Sequence, residues 1–209
     1  MSEVLFCQCW HVTEETVLCL DHHRYFRAGI ELASVTKIVG SILPTDWDRI
    51  RPEVLENARH RGQVVDALLS AYVIGELDEI PAGTRTDAEA LFYKAQNWFD
   101  KQNFRDVQSQ ILLSGPDHAG TLDLRFDGMV VDLKCTSKVE ETARLQVAAY
   151  ADLATPWRPA QHPAAILHVT ERYAEARLVP LVAQDYEDWR TALAAFRMVQ
   201  RRKPSKDMD

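Results

Sequence analysis

The chain has 209 residues, 46% of them hydrophobic and 26% charged, with a formal net charge of −7, which fits one domain able to bury a sizeable core. No apolar run approaches a membrane span and no basic start leads into a long apolar stretch, so the sequence reads as cytoplasmic, with no membrane partner. The acidity argues against a protein that only coats nucleic acid, where phosphate contacts dominate, but not against one whose carboxylates hold cations that then meet phosphate.

Short strands are predicted over 4–10 and 16–20, then a turn through Asp21-His22-His23. Cys7, Cys9, Cys19 and His11 offer zinc-ligand chemistry. A C-x-C pair without a second C-x-x-C reads instead as ordinary strand residues with reduced thiols. Ser34 reads as an N-cap, with Val35, Ile38, Val39 and Ile42 on one helical stripe; Pro44 ends that run. Pro52 sits near the first position of a helix over 52–74 that carries Leu55, Ala58, Gly62, Val65 and Leu69. Pro81 and Gly83 separate it from a helix over 86–102. Strands follow at 105–113, 119–126 and 129–136, then a helix at 138–154. Pro156, Pro159 and Pro163 mark a loop before a strand hairpin, 164–170 with 175–182, and a last helix over 184–200. The order predicts an α/β fold, a mixed central sheet covered on both faces as an α/β/α sandwich. Residues 1–200 are expected to form one domain and the basic, polar segment 201–209 a solvated, disordered tail.

The chemistry lies in G-T-L-D-L-R-F-D-G-M-V-V-D-L-K-C-T. Asp127-Gly128 is a strong two-residue hairpin signal, because a type I′ turn needs positive φ twice. Counting outward pairs Phe126 with Met129, Arg125 with Val130, Leu124 with Val131 and Asp123 with Asp132. Side chains alternate between sheet faces. Leu122, Leu124, Phe126, Met129, Val131 and Leu133 then share a core face, and Asp123, Asp132 and Lys134 share the other. Like charges directly opposite destabilise a sheet pair, and a cation between them removes that penalty. Carboxylate oxygens suit Mg²⁺ or Mn²⁺. Lys134 returns to the same space, where it could position or deprotonate a water or stabilise charge developing on a phosphate.

These residues resemble a known family. G-T-L-D followed by D-L-K-C-T is similar to the G-x-x-D…(D/E)-x-K signature of the PD-(D/E)XK nuclease superfamily. Gln146-Val147-Ala148-Ala149-Tyr150 matches the Q-x-x-x-Y motif of its RecB-like and lambda-exonuclease-like branch. Upstream, Ser34-Val35-Thr36 and Arg61-Gly62 resemble the S-V-T…R-G-x-x-x-H pattern of phage-encoded members. The resemblance implies a restriction-endonuclease-like fold and a catalytic set of Asp123, Asp132, Lys134, Gln146 and Tyr150, with Gln146 and Tyr150 contacting DNA or supporting the lysine. It implies Mg²⁺ or Mn²⁺ held by Asp66, Gln110, Asp123, Asp132 and the Leu133 carbonyl. Two positions depart from the pattern. Asp66 stands where the branch carries histidine. Gln108 or Gln110 stands where it carries glutamate, and Gln110 is favoured because Ile-Leu-Leu follows it directly. No cysteine follows Cys135, so no iron–sulfur cluster is expected.

The implied activity is hydrolysis of phosphodiester bonds in DNA. An exonuclease acting on linear duplex ends is the form expected, in phage or prophage recombination or repair, with a single-strand annealing or single-strand-binding protein as partner. A catalytically silent nucleic-acid-binding or interaction module on the same fold is the rival, motivated by positions 66 and 108/110. A restriction-type endonuclease is a third reading, disfavoured because no sequence-reading element is appended. His22 and His23 read as solvated turn residues, and Trp189 as core of the last helix.

Overall fold

The computed structural model describes residues 10–12, 16–19, 24–44, 49–154 and 163–202. Cys7, Cys9, His22, His23, Pro156, Trp157, Pro159 and the segment 203–209 lie outside the described residues.

Four antiparallel strands come first: β1 (Trp10–Val12), β2 (Thr16–Cys19), β3 (Arg24–Arg27) and β4 (Ile30–Ser34). The β3–β4 hairpin is absent from the sequence reading. It turns at Ala28-Gly29, both at positive φ (49° and 78°), and an alanine in that conformation is not the Asn or Asp that usually announces such a turn. Ser34 then caps α1 (Val35–Ile42), its hydroxyl accepting from the Lys37 N–H at 3.1 Å. Pro52 opens α2 (Pro52–Val73), and α3 (Thr86–Asp100) follows. Next come β5 (Gln108–Ser114), β6 (His118–Phe126), β7 (Met129–Lys134) and α4 (Glu141–Ala154). A hairpin of β8 (Ala164–His168) and β9 (Arg177–Pro180) leads into α5 (Ala183–Arg202). Strand β7 ends before the expected 136 and α4 starts after the expected 138, because the chain between them forms a loop in which the Thr136 hydroxyl donates to the Lys138 carbonyl (2.7 Å). Helix α5 continues through Arg201 and Arg202, which the sequence reading assigned to the tail.

The nine described strands form one mixed sheet in the order β1-β2-β3-β4-β6-β7-β8-β9, with β5 also on β6. Strands β4 and β6 are parallel, as are β7 and β8; the other pairs are antiparallel. The fold is thus α/β with a mixed central sheet. Helices α1, α4 and α5 supply one core against the sheet. Helices α2 and α3 supply another. This is the sandwich expected from the order of elements. A third, small cluster of Leu18, Tyr25, Leu32, Leu112 and Ala119 ties the β1–β4 meander to β5 and β6.

Strand β6 is a fork. Strand β5 pairs with it from Ala119 to Arg125. Strand β4 pairs with it at His118 and Ala119, and β7 pairs with it from Leu124 to Phe126. Because β5 already occupies one edge at Ala119 and at Leu124, β4 and β7 must share the other. Between them Gly120–Asp123 has no strand partner on that edge. Beside the fork the side-chain alternation slips. Ser109 reaches α2, its hydroxyl donating to the Ser70 carbonyl (3.4 Å), and Leu124 packs with α2 and α3, whereas Ile111 and Leu122 pack with α1 and α4. Between these pairs stand Gln110 and Asp123, and Gln110 has φ +51°. The expectation that Leu122 shares a face with Leu124, Phe126, Met129, Val131 and Leu133 therefore fails at Leu122: strict alternation requires an unbroken strand, and a left-handed residue in the neighbouring strand breaks the pleat.

Candidate active site

The site is built where β6 and β7 part. Asp127 and Gly128 both take positive φ (49° and 75°), and the register runs Phe126↔Met129, Arg125↔Val130, Leu124↔Val131 as counted from the sequence. One step further the ladder stops. The Asp123 carboxylate instead accepts the Leu133 N–H at 2.8 Å. Along β7 the even residues face β8: the Val130 N–H donates to the Pro163 carbonyl and the Lys134 carbonyl accepts from Val169, both at 3.0 Å. N–H and C=O of one strand residue point to the same side, so the Leu133 carbonyl also turns into the fork.

Asp132 is 1% exposed. Its Oδ1 is buried without a hydrogen-bond partner, and its Oδ2 is held by the Lys134 ammonium in a close ion pair. Burying a carboxylate carries a large desolvation cost, which a single ion pair offsets only in part. Burial pushes Asp123 well above the usual carboxylate range, and the charges of Asp132 and Asp66 push it further. Burial also raises Asp66, on α2, to about 6; the Gln110 amide works against this and the Asp132 charge adds to it. Burial pulls Lys134 down, but Asp132 and Asp123 outweigh it, so its ammonium sits above the ordinary lysine value. These four groups act on one another electrostatically. The sequence reading set Asp123 directly opposite Asp132, but the ladder ends one step before that pair.

Gln110 donates its amide to both oxygens of Asp66 (3.3 and 3.1 Å) and to the Ser70 hydroxyl (3.1 Å). Gln108 is exposed at the start of β5. The left-handed backbone of Gln110 is costly for a non-glycine residue, of order 1–3 kcal/mol, and it is held where its side chain meets Asp66. On α4, Gln146 donates to the Tyr150 hydroxyl at 2.9 Å. Tyr150 is 4% exposed. Burial raises its hydroxyl well above the usual tyrosine value, with the charges of Asp132 and Asp123 adding to the effect. Its ring lies over Gly120, where a Cβ would stand 2.5 Å from Tyr150 Cε1 and 3.3 Å from Val35 Cγ2. The glycine of G-T-L-D is thus the clearance that lets the tyrosine of Q-V-A-A-Y reach the fork.

Sequence reasoning missed four contributors. Ser70 lies one turn beyond Asp66 on α2, a spacing that could have found it. Tyr25, which meets the Thr121 hydroxyl at 3.3 Å, sits on a strand that was not foreseen. His168 stands beside Lys134 in the parallel register and donates from Nε2 to the Thr136 carbonyl (2.7 Å), pinning the exit of the D-L-K strand; only the topology brings it there. Gly120 was visible, but its partner was not. Trp189 is core, as expected, and its Nε1 donates to Asp152 (3.2 Å).

Among the described residues no group of three or more His, Cys, Asp or Glu side chains is placed to hold a metal ion. The donor chemistry fits one nonetheless. Asp132 presents one buried oxygen without a partner and a second shared with Lys134, and Asp123, Asp66 and the Leu133 carbonyl are further hard oxygens of the kind Mg²⁺ or Mn²⁺ takes.

No family model matches the chain, and no curated protein does. Among solved structures, it aligns with a candidate exonuclease of Eubacterium rectale over 68% of this chain and 66% of that one, at 13% identity and a TM-score of 0.49. It aligns with an alkaline exonuclease of Laribacter hongkongensis over 81% and 88%, at 12% identity and a TM-score of 0.45. The same exonuclease in complex with dAMP aligns at 11% identity and a TM-score of 0.45. The chain spans just under two thirds of the E. rectale protein. At these identities and scores the likeness assigns no activity and no residue role to this chain. The fold is α/β with a mixed central sheet, and G-T-L-D, D-L-K and Q-V-A-A-Y gather at its fork. No helix among the described residues is long and apolar enough to cross a membrane.

Proposed function

We propose that this chain is a divalent-metal-dependent deoxyribonuclease, an exonuclease working from the ends of linear duplex DNA in phage or prophage recombination or repair. The observation that carries this reading is Asp132: a buried carboxylate with one oxygen unpartnered and the other on the Lys134 ammonium, with Asp123 acting on the same pair, at an opening in the sheet. Such a group is costly as a structural element and suited to a cation.

Asp123, Asp132, Asp66 and the Leu133 carbonyl would hold Mg²⁺ or Mn²⁺, with Gln110 steadying Asp66. The ion supplies positive charge against the phosphoryl oxygens and favours attack by water. Lys134 places its ammonium against the phosphate as negative charge develops and orients the attacking water. Tyr150, buried and bonded to Gln146, shields Asp132 from bulk water. A single-strand annealing or single-strand-binding protein fits as partner in this setting.

The test is digestion of end-labelled linear duplex with Mg²⁺ or Mn²⁺, beside a covalently closed circle. Wild type should shorten the linear DNA and spare the circle, and Asp132→Ala and Lys134→Ala should not degrade it. Equal degradation by all three proteins refutes the assignment. One observation favours a silent module instead: Gln110 turns its amide, not its carbonyl, toward Asp66. Calorimetry with Mn²⁺ separates the two, since a silent module takes up no ion at this site.

A further inference from the structure

A second concavity lies away from the fork, between β4, α1 and the end of α5. It encloses about 600 Å³, within the range of small-molecule and nucleotide sites. Three cations line it, Lys37, Arg197 and Arg201, with two carboxylates, Glu31 and Asp117. Both carboxylates are already answered. Arg197 holds Asp117 in a two-pronged contact (2.5 and 2.9 Å). Arg24 holds Glu31 in another (3.1 and 2.6 Å), and Lys37 adds only a longer-range pull on Glu31. Among the described residues neither Lys37 nor Arg201 is in an ion pair. The concavity therefore offers two uncommitted positive charges, in a chain whose net charge is −7, beside the ring of Phe196.

Charge, size and a ring together suit one nucleotide of a nucleic-acid strand: phosphate between Lys37 and Arg201, sugar and base against Phe196. Asp117 immediately precedes β6 and Asp123 lies six residues further along, so at about 3.3 Å per residue the concavity stands roughly 20 Å from the catalytic carboxylate. On duplex DNA that is about six nucleotides of one strand, at about 3.4 Å each.

We infer that the Lys37–Arg201 concavity is a second DNA-backbone site, which grips the substrate strand about six nucleotides from the bond being cut. The inference rests on the nuclease reading for its substrate, but its test does not depend on cleavage. Binding of fluorescein-labelled linear duplex would be followed by anisotropy in EDTA, across a salt series, for wild type, Lys37→Glu/Arg201→Glu, and a control with the same change in charge, Arg59→Glu/Arg190→Glu. Circular dichroism would check that each variant folds. Two lost phosphate contacts should weaken binding at least tenfold at moderate salt. They should also make the slope of log K against log[salt] shallower by about 2 relative to wild type, and the control should keep most of the wild-type slope. Equal slopes for the two double variants would overturn the site, even if wild type degrades DNA. A wild type that binds duplex through this site but never cleaves it would instead sink the nuclease reading. If Arg201 serves only to favour the end of its helix, Arg201→Glu lowers the melting temperature and leaves the salt slope unchanged, which also overturns the site.

Discussion

Gly120→Ala adds one methyl group at the tightest contact in the site. Its carbon would stand 2.5 Å from Tyr150 Cε1 and 3.3 Å from Val35 Cγ2, where carbon atoms normally settle at about 3.5–4.0 Å. The Tyr150 ring must retreat by about 1 Å, and it has little room: it is 4% exposed, and Gln146 fixes its hydroxyl at 2.9 Å. Overpacking of this kind costs about 1–3 kcal/mol. For a chain of this size, where each kcal/mol moves Tm by about 2–4 °C, a cost of about 2 kcal/mol lowers Tm by roughly 4–8 °C. Differential scanning calorimetry in EDTA measures it. The same substitution made on a Tyr150→Leu background should cost at least 1 kcal/mol less, because the clashing ring is gone. An unchanged Tm, or an identical cost in both backgrounds, would refute the packing of Tyr150 over Gly120 and with it the account of why G-x-x-D needs its glycine.

Lys134→Met leaves Asp132, Asp66 and Asp123 without their cation; breaking a buried pair costs about 3–5 kcal/mol, discounted here because Lys134 is 23% exposed, so Tm in EDTA should fall by several degrees and recover more than wild type does on adding Mn²⁺. Gln110→Glu sets a further carboxylate against Asp66, so calorimetry should find Mn²⁺ bound about tenfold more tightly and the metal-free protein less stable. Asp117 is held down to about 2 by its contact with Arg197; a lowered acid stabilises the fold above its unfolded value of 3.8 and loses that contribution as pH falls from about 4 to 2. Asp117 is 42% exposed, so the contribution is below about 1 kcal/mol, and Arg197→Ala should raise the midpoint of acid unfolding by a few tenths of a pH unit, read by far-ultraviolet circular dichroism.

Most elements were legible because their signals are local. Ser34 before an apolar stripe, Pro52 at a first turn and Asp127-Gly128 between alternating runs each act within four residues, and each element formed where they stand. The meeting of Asp132 with Lys134 and of Gln146 with Tyr150 was legible for the same reason, since spacings of two in a strand and four in a helix are fixed by backbone geometry. The β3–β4 hairpin was not, because Ala28 adopts a left-handed turn that its side chain does not favour. Nor was the separation of Leu122 from Leu124. Both are leucines two apart in a strand, and only the αL backbone of Gln110, on the neighbouring strand, tells them apart.

That irregularity is what makes the site possible. In an unbroken ladder Asp123 would face Asp132 across an ordinary pair, with its backbone bonded and its side chain fixed on one face. Here β4 and β7 leave the middle of β6 uncovered. The Asp123 carboxylate takes the N–H that a strand carbonyl would otherwise accept, and the Leu133 carbonyl is left facing the gap. The slip at Gln110 brings its side chain to α2, where it meets Asp66 and Ser70. Tyr150 closes the other side, through the space that Gly120 leaves. Three layers of the sandwich therefore reach one point only because the middle layer is open there, and restoring the ladder should remove the site while improving the sheet.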